Sequence, residues 1–408
     1  MSLKYSYPKE KIKVLLLENI HSDAYEMFAS NGFQKDSRSE ALSEEDLCKI
    51  IQDIHILGIR SKTHVSNKVV KSANKLLCIG AFCIGTNQID ISACNQRGIA
   101  VFNAPYSNTR SVVELALGEI ILLMRNVINK SQDLHLGKWD KTSENSFEVR
   151  GKTLGIIGYG HIGSQLSVLA EAIGMKVLFY DIIDKMPLGN AQSSDINELL
   201  HQSDVVSLHI DGRKENHQFI NADYLDKMKE GSIFLNLSRG YVVDYFALKE
   251  ALLSRKIIGA GIDVFPDEPK SNGENFHFIL QNIPTVILTP HIGGSTEEAQ
   301  SLIGRFVPNK ILNFINNGST DGSVNFPSVQ LPTQNNQHRI LHIHRNVPGI
   351  LAKINQVIAS NEVNITGQYL KTNEEMGYVI MDIEGEYPDS FFGELKSVEH
   401  TIKCRILY

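Results

Sequence analysis

The chain has 408 residues, enough for two or three domains, with 42% hydrophobic and 21% charged residues, the balance of a soluble globular protein. A formal net charge of −6, without a basic arm or an acidic tail, argues against a general nucleic-acid binder. The five cysteines are odd in number and show no CxxC spacing, which argues against a disulfide framework or a zinc site and for thiols in a reducing compartment.

The N-terminal "MSLKYSYPKEKIKVLLLENI" has a short apolar run ending at Glu18 and no small-residue cleavage site, so a secretory signal is not expected and a cytoplasmic location is. The runs "KIKVLLLEN", "IHILGIR", "LLCIGAFCIG" and "IAVFNAP" read as strands with helices between them, one α/β unit ending near Asn108. A long helix from Ser111 to Met124 follows. Glu114 and Glu119 interrupt it, and it is too short and too charged to span a bilayer.

A second α/β series runs through "KTLGIIGYGHIG", "KVLFYD", "DVVSLHI", "SIFLNLSRG", "IIGAGIDVF" and "TVILTPHIGG". Each is a nearly unbroken apolar run, as a strand buried on both faces of a parallel sheet would be. "INELLHQ" and "DYFALKEALLSR" supply helices between them, so the expected fold is α/β, a doubly wound parallel sheet. "STEEAQSLIGRFVPNKILNFINNG" predicts a helix with room for a kink at Pro308, and "STDGSVNFPSVQLPTQNNQ" reads as a linker by composition. The remaining residues order themselves as strand, helix, strand, strand, helix, strand, a βαββαβ module.

Gly158, Gly160 and Gly163 form GxGxxG directly after an apolar strand and before the helix "SQLSVLAEAIG". Alone the pattern is weak, but "KVLFYD" then delivers Asp181 at the end of the next strand. Glycines permit a tight turn and close approach of backbone to a pyrophosphate at a helix N-terminus, and the acid accepts from ribose hydroxyls while repelling a 2′-phosphate. The cofactor expected is therefore NAD. Hydride transfer to NAD from an alcohol carbon also needs a proton carrier and a cation for the substrate. Arg239 in "NLSRG", Glu268 in "DVFPDEP" and His291 in "TPHIGG" each follow a strand-like run. Singly they have ordinary explanations: a surface cation, a solvated turn carboxylate, a helix cap. Together, after a dinucleotide fold, they describe a catalytic set. His209 competes for the proton-carrier role, but no placed carboxylate follows it, and it reads as a cofactor-side residue.

The runs "GKTLGIIGYGHIG", "LNLSRGYVVD", "GAGIDVFPDEP" and "LTPHIGGSTEEAQ" resemble the D-isomer-specific 2-hydroxyacid dehydrogenases, and the resemblance covers the whole chain. "GAFCIGTNQIDISACNQRGIAVFNAPYSNTRSVVE" resembles the branch of that family that oxidises 3-phosphoglycerate at the first committed step of serine synthesis. The resemblance implies a discontinuous, flavodoxin-like substrate domain (1–107 and 295–318) around a Rossmann-like NAD domain (108–294). A linker (319–337) and a C-terminal domain (338–408) follow. It implies His291 as general acid/base, Glu268 as its partner and Arg239 on the substrate carboxylate and carbonyl. His161, Ile162, Leu237, Ser238, Asp263 and the segment Ile292, Gly293, Gly294 join the glycines, Asp181, Arg239 and His291 around the cofactor. Arg60 and Ser61 in "GIRSKT", with Ile84, Gly85 and Asn108, complete the substrate site. The loop "DGRKEN" departs from the family, which usually has Pro there, and leaves the cofactor contacts of that loop open.

In the terminal module "HRILHIH" alternates, with Leu341 and Ile343 on one face and His342 and His344 on the other, and Pro348 fits the first position of the next helix. The order βαββαβ and "NVPGIL" resemble an ACT domain. By that resemblance His344, Asn346 and Asn364 bind L-serine as a feedback effector, at a sheet-edge pairing of two subunits. Trp139, the one tryptophan, sits among charges in "HLGKWDKTSEN" and reads as a local core plug or as an anchor at a subunit interface. The resemblance to a family that pairs subunits around its NAD domains favours the anchor, and the expected homo-oligomer closes naturally as a tetramer. Two alternatives stay open: a dehydrogenase for another D-2-hydroxy acid, including reduction of 2-oxoglutarate, and an NAD-sensing corepressor-like binding protein. No membrane or nucleic-acid partner is expected.

Overall fold

Short runs of Val, Leu, Ile and Ala, apolar at successive positions, suit strands covered on both faces, and the central strands of both parallel sheets are built from them. The computed structural model describes residues 7–269, 273–332, 338–385 and 387–407. It divides into two compact units, Met1–Ser107 with Gln300–Tyr408, and Asn108–Ala299.

The first unit holds β1 (Lys13–Leu16), β2 (Gln34–Ser37), β3 (Ile56–Ile59), β4 (Cys78–Ala81) and β5 (Ala100–Phe102), all parallel in the order β2-β1-β3-β4-β5. This is the flavodoxin-like order, with its switch between β1 and β3. The second unit holds β6 (Thr153–Ile157), β7 (Lys176–Tyr180), β8 (Gln192–Ser193), β9 (Val205–Leu208), β10 (Ser232–Asn236), β11 (Ile257–Ile262) and β12 (Val286–Leu288). Their order, β12-β11-β10-β9-β6-β7-β8, is again all parallel, and strand order reverses between β6 and β9. Ligands of such sheets bind beyond the carboxyl ends of the strands at that reversal.

The terminal module is an antiparallel sheet of β13 (His338–Arg345), β14 (Asn364–Thr372), β15 (Met376–Glu384) and β16 (Thr401–Leu407), ordered β14-β15-β13-β16, with helices Ile350–Ser360 and Phe391–Ser397. The first of these helices begins two residues beyond Pro348, because Gly349 takes a left-handed φ of 83° as its cap. Leu341 and Ile343 share a core with Phe314, Phe102, Val14 and Tyr378, so the module packs continuously onto the first sheet and the helix Glu297–Asn317, which contains Pro308. The opposite face meets Ile350, Ile354, Phe391 and Leu395.

Residues 319–332, read from composition as linker, are pinned down instead. Thr320 is fully buried, donating to Pro327 O (2.6 Å) and accepting from Val329 N (2.9 Å), while Phe326, Val329 and Leu331 enter the core. Their hydroxyls and amides are satisfied internally rather than by water. Residues 333–337, the rest of the expected linker, lie outside the described residues. Among the described residues no helix is long and apolar enough to cross a membrane, and no cluster of His, Cys, Asp and Glu could hold a metal ion.

Candidate active site

In the second unit the glycine turn shows three different needs. Gly158 takes φ 95°, and a Cβ there would lie 2.5 Å from His209 O; Gly163 lets the helix His161–Ala172 close on the strand, since a Cβ would lie 2.3 Å from Gly158 O. A Cβ on Gly160 would meet nothing, which leaves open space at the helix N-terminus for a phosphate group. Asp181, just past β7, accepts from Tyr159 N (2.8 Å) and Ile183 N (3.1 Å), so it both braces the glycine turn and keeps acceptor capacity on each oxygen. The donor set therefore fits NAD: backbone amides of the turn and of His161 and Ile162 for the pyrophosphate, and Asp181 for ribose hydroxyls.

Beyond β10, the buried Asn236 organises the next turn. Its Oδ1 accepts from Ser238 N (3.0 Å) and Ser238 Oγ (2.8 Å), and its Nδ2 donates to Arg239 O (2.9 Å) and Tyr245 Oη (3.0 Å). Arg239 Nη1 donates to Ser238 O (2.7 Å) and the guanidinium has no carboxylate partner among the described residues. Gly240 permits this turn to touch the next one, because a Cβ would fall 1.9 Å from Phe265 C. Leu237 is buried beneath it.

Beyond β11 lies Asp263, only 1% exposed. Its carboxylate accepts from Thr289 Oγ1 (2.6 Å), Ile292 N (2.8 Å) and Gly293 N (2.8 Å), so it acts as the anchor of the turn after β12. That turn carries His291 at φ 53°, a conformation uncommon for a residue with a side chain and held here by these bonds. His291 Nδ1 meets Glu268 Oε2 at 2.8 Å, and Glu268 Oε1 accepts from Phe265 N (3.2 Å). The bond to Glu268 raises the histidine's pKa above its usual value against the opposing effect of burial. Burial pushes Glu268 upward, but the His291 bond and charge, the Phe265 N–H and the Arg239 charge outweigh it and hold the carboxylate below its usual range. With Nδ1 engaged, Nε2 is the nitrogen left to exchange a proton. Asn108, also in this unit, approaches Gly294, and its buried Oδ1 has no partner among the described residues.

The other substrate candidates lie in the first unit, at the ends of neighbouring strands β3 and β4. Glu18, itself left-handed at φ 65°, accepts from Arg60 N (3.1 Å), Lys62 N (2.9 Å) and Thr63 N (2.9 Å), shaping the loop that carries Arg60 and Ser61. Gln88 Nε2 donates to Arg60 O (2.6 Å), and Asn103 Nδ2 to Ile84 O (2.6 Å), tying in the Ile84–Gly85 loop. Neither Glu18, Gln88 nor Asn103 stood out in the sequence, because supporting carboxylates and amides leave no spacing signal. The unusual loop after His209 folds on itself: Asn216 Nδ2 donates to Asp211 O (2.9 Å), Arg213 pairs with Asp211, and Tyr241 Oη donates to Gly212 O (2.5 Å). His209 is held near 4 by burial, so it is neutral, and its Nε2 meets Ser207 Oγ at 2.8 Å.

Glu119 is the other residue missed. Five positions after the exposed Glu114, which pairs with Arg110, it faces inward, 2% exposed, with both oxygens lacking a partner among the described residues. Burial first, then the Asp263 charge, pushes its pKa up to about 8. The folded value lies above the unfolded one near 4.5, so folding retains a proton and stability falls as pH rises through that window, levelling above it. Glu119→Gln protein is expected to melt close to the parent at pH 5 and clearly above it at pH 9, as thermal scans at the two pH values would read.

His344 and Asn346 of the effector set lie together near the end of β13, His344 1% exposed and Asn346 exposed. Asn364 does not join them within one chain. His344 pairs with Gly377 and Asn364 with Glu384, seven residues along β15, or roughly 23 Å at about 3.3 Å per residue. Trp139 is 80% exposed, close in sequence to Leu134 (56%) and Leu136 (72%).

A Rossmann-type sheet with a His–Glu pair, an arginine that has no carboxylate partner among the described residues, and an NAD-type glycine turn defines a nicotinamide-dependent dehydrogenase of hydroxy acids. Residues 117–293 match the D-isomer specific 2-hydroxyacid dehydrogenase, NAD binding domain, and residues 340–403 the AHAS small subunit-like ACT domain. The chain is 49% identical to D-3-phosphoglycerate dehydrogenase of Haemophilus influenzae over 100% of both chains. It is also 49% identical to D-3-phosphoglycerate dehydrogenase of Dictyostelium discoideum over 99% of both. Among solved structures, D-lactate dehydrogenase from Aquifex aeolicus complexed with NAD and lactic acid is similar at a TM-score of 0.66. It is 26% identical, covering 74% of this chain and 95% of that one. The chain belongs to the D-isomer specific 2-hydroxyacid dehydrogenase family, carries that family's NAD-binding domain, and its full-length relatives are D-3-phosphoglycerate dehydrogenases.

Proposed function

We propose that this protein oxidises 3-phospho-D-glycerate to 3-phosphohydroxypyruvate with NAD, the first step of L-serine biosynthesis, in the cytoplasm. The observation that carries the reading is the 2.8 Å His291–Glu268 pair beside the Arg239 turn, in a chain that matches its phosphoglycerate-oxidising relatives from end to end. His291 Nε2 takes the C2 hydroxyl proton as the substrate is oxidised, and returns it in the reverse reaction. Glu268 stabilises the imidazolium, and Arg239 holds the carboxylate and the oxygen that becomes a carbonyl. Bound NAD supplies the hydride acceptor. Arg60 and Ser61, with Ile84, Gly85 and Asn108, take the phosphate and the rest of the acid.

The coupling of His291 to Glu268 has a pH consequence. Oxidation needs neutral His291 and reduction needs it protonated, so oxidation rises and reduction falls as pH climbs through the raised histidine value. Glu268→Gln removes the carboxylate that raises it. The acid limb of the oxidation profile is expected to move to lower pH, and the reductive rate at neutral pH to drop on the order of tenfold or more, read from pH–rate profiles in both directions.

The terminal module reads as an L-serine sensor shared by two copies. β14 is one of the two edges of its sheet, β16 being the other, and is largely exposed, Tyr369 and Leu370 by 43% and 41%. Antiparallel pairing of two β14 edges about their midpoint brings Asn364 of one chain beside Thr372 of the other, next to Asn346, whose Nδ2 donates to Asn373 O (2.8 Å). Exposed Trp139 supplies a second contact, and two different pairings close a tetramer. Initial rates of NADH oxidation with 3-phosphohydroxypyruvate, with and without L-serine, test the reading. Turnover suppressed by serine supports it; turnover indifferent to serine removes the sensor role; no turnover removes the substrate assignment.

A further inference from the structure

The terminal module and the first α/β unit are joined by a closed ring of hydrogen bonds among three asparagines and one glutamate, two of its links made to backbone groups. Asn95 Nδ2 donates to Glu375 Oε2 (2.7 Å), and Asn325 Nδ2 donates to Asn95 Oδ1 (2.8 Å). Asn373 Nδ2 donates to Asn325 O (3.1 Å), while Asn373 Oδ1 accepts from Glu375 N (3.1 Å). Asn95 and Asn325 are 9% and 6% exposed, so water competes little for the bond between them, while Asn373 is half-buried and Glu375 exposed.

Each end of the ring touches something that matters. On the module side, Asn346 N donates to Glu375 O (3.0 Å) and Asn346 Nδ2 to Asn373 O (2.8 Å), so the exposed amide of the effector set rests on the ring's own turn. On the sheet side, Asn325 Oδ1 accepts from Val101 N in β5 (2.8 Å), and its Nδ2 also donates to Ile99 O (3.0 Å). The chain leaving β5 donates from Ala104 N to Cys83 O (3.0 Å) and from Asn103 Nδ2 to Ile84 O (2.6 Å). A path thus runs from Asn346 to the Ile84–Gly85 loop through these hydrogen bonds and the short main-chain stretch from Val101 to Ala104, without passing through residues 333–337.

We propose that the Asn95–Asn325–Asn373–Glu375 ring is the coupling element of this protein: an amino acid bound at Asn346 shifts the ring, and the ring shifts the Ile84–Gly85 substrate loop. The inference rests on the reading of the terminal module as a serine sensor. A side-chain amide is donor and acceptor at once, so displacing one member forces its neighbours to re-pair or lose a bond. Effector coupling is commonly about 5–150-fold in affinity, a size that breaking a few such bonds can supply. Coupling is a free energy between two sites, so the test is energetic.

The experiment uses the full-length protein with L-serine, measuring serine binding by calorimetry and NADH oxidation with 3-phosphohydroxypyruvate in parallel. The variants are Asn95→Ala, Glu375→Ala, the double variant and Glu375→Gln. Glu375 is exposed, and the glutamine keeps an acceptor for Asn95, so that variant controls for folding. The expected result has all variants turning over like the parent without serine and binding serine comparably. The two alanine variants should then need roughly tenfold more serine for half-inhibition. The double variant should be no worse than either, and Glu375→Gln should respond like the parent. Parental inhibition in both alanine variants would overturn the ring alone. A parent that does not bind serine at all would overturn the sensor reading and the ring with it.

Discussion

Replacing His291 with Asn is expected to lower kcat by about 10²–10⁴ in both directions while leaving NADH binding close to that of the parent. Asparagine is chosen because the position sits at φ 53°, a left-handed conformation that Asn tolerates better than most residues. The turn should therefore keep its shape, with Asp263 still accepting from Ile292 N and Gly293 N. What disappears is the imidazole whose Nδ1 is fixed by Glu268 and whose Nε2 is free. An amide in its place can hydrogen-bond to a hydroxyl but cannot take its proton near neutral pH. Single-turnover rates and NADH fluorescence titration separate the two effects. A fall in cofactor affinity equal to the fall in kcat would mean that the turn had collapsed.

Removing Asp382 should have the largest effect on stability. Arg339 and Asp382 are 2% and 0% exposed and form a bidentate pair, Nε to Oδ1 at 2.7 Å and Nη2 to Oδ2 at 3.0 Å. Arg339 Nη1 also donates to Asn317 O (3.0 Å) and Pro332 O (3.1 Å), so the guanidinium fastens β13 to the end of the long helix. Asp382→Ala leaves a buried cation without its counter-charge, which costs about 3–5 kcal/mol. Replacing both partners with apolar residues of similar size, Arg339→Met with Asp382→Leu, should cost far less. Denaturant midpoints of the three proteins check this, and a single alanine variant as stable as the parent would sink it.

Most strands of the two parallel sheets were legible because they are written as continuous apolar runs, and β6, β7, β9, β10, β11 and β12 fall within the runs expected for them, whereas the polar edge strands β2 and β8 carry no such run. The glycine turn and Arg239, Glu268 and His291 were legible because turns after strands concentrate chemistry. Four further things were not. Composition could not tell a solvated tether from a packed segment: Ser319, Thr320 and Asn325 look like linker residues until their internal partners are known. Glu119 occupies a helix position whose inward direction shows only when the helix is laid against Gly261, where a Cβ would come within 2.3 Å of Glu119 Oε2. Glu18 works through a left-handed backbone that no periodicity marks. Asn364 pairs with Glu384 and His344 with Gly377, far apart along β15, so one folded chain does not bring together the effector set that resemblance implies.

The central claim is that the Arg239–Glu268–His291 site serves a phosphorylated hydroxy acid. Its most direct test is kcat/KM with NADH for 3-phosphohydroxypyruvate against unphosphorylated hydroxypyruvate, in the parent and in Arg60→Ala. Charge-assisted bonds to a phosphate are strong enough for a preference on the order of 10²-fold in the parent, and that preference should collapse in Arg60→Ala. Equal rates on both acids in the parent, or an undiminished preference without Arg60, would contradict it.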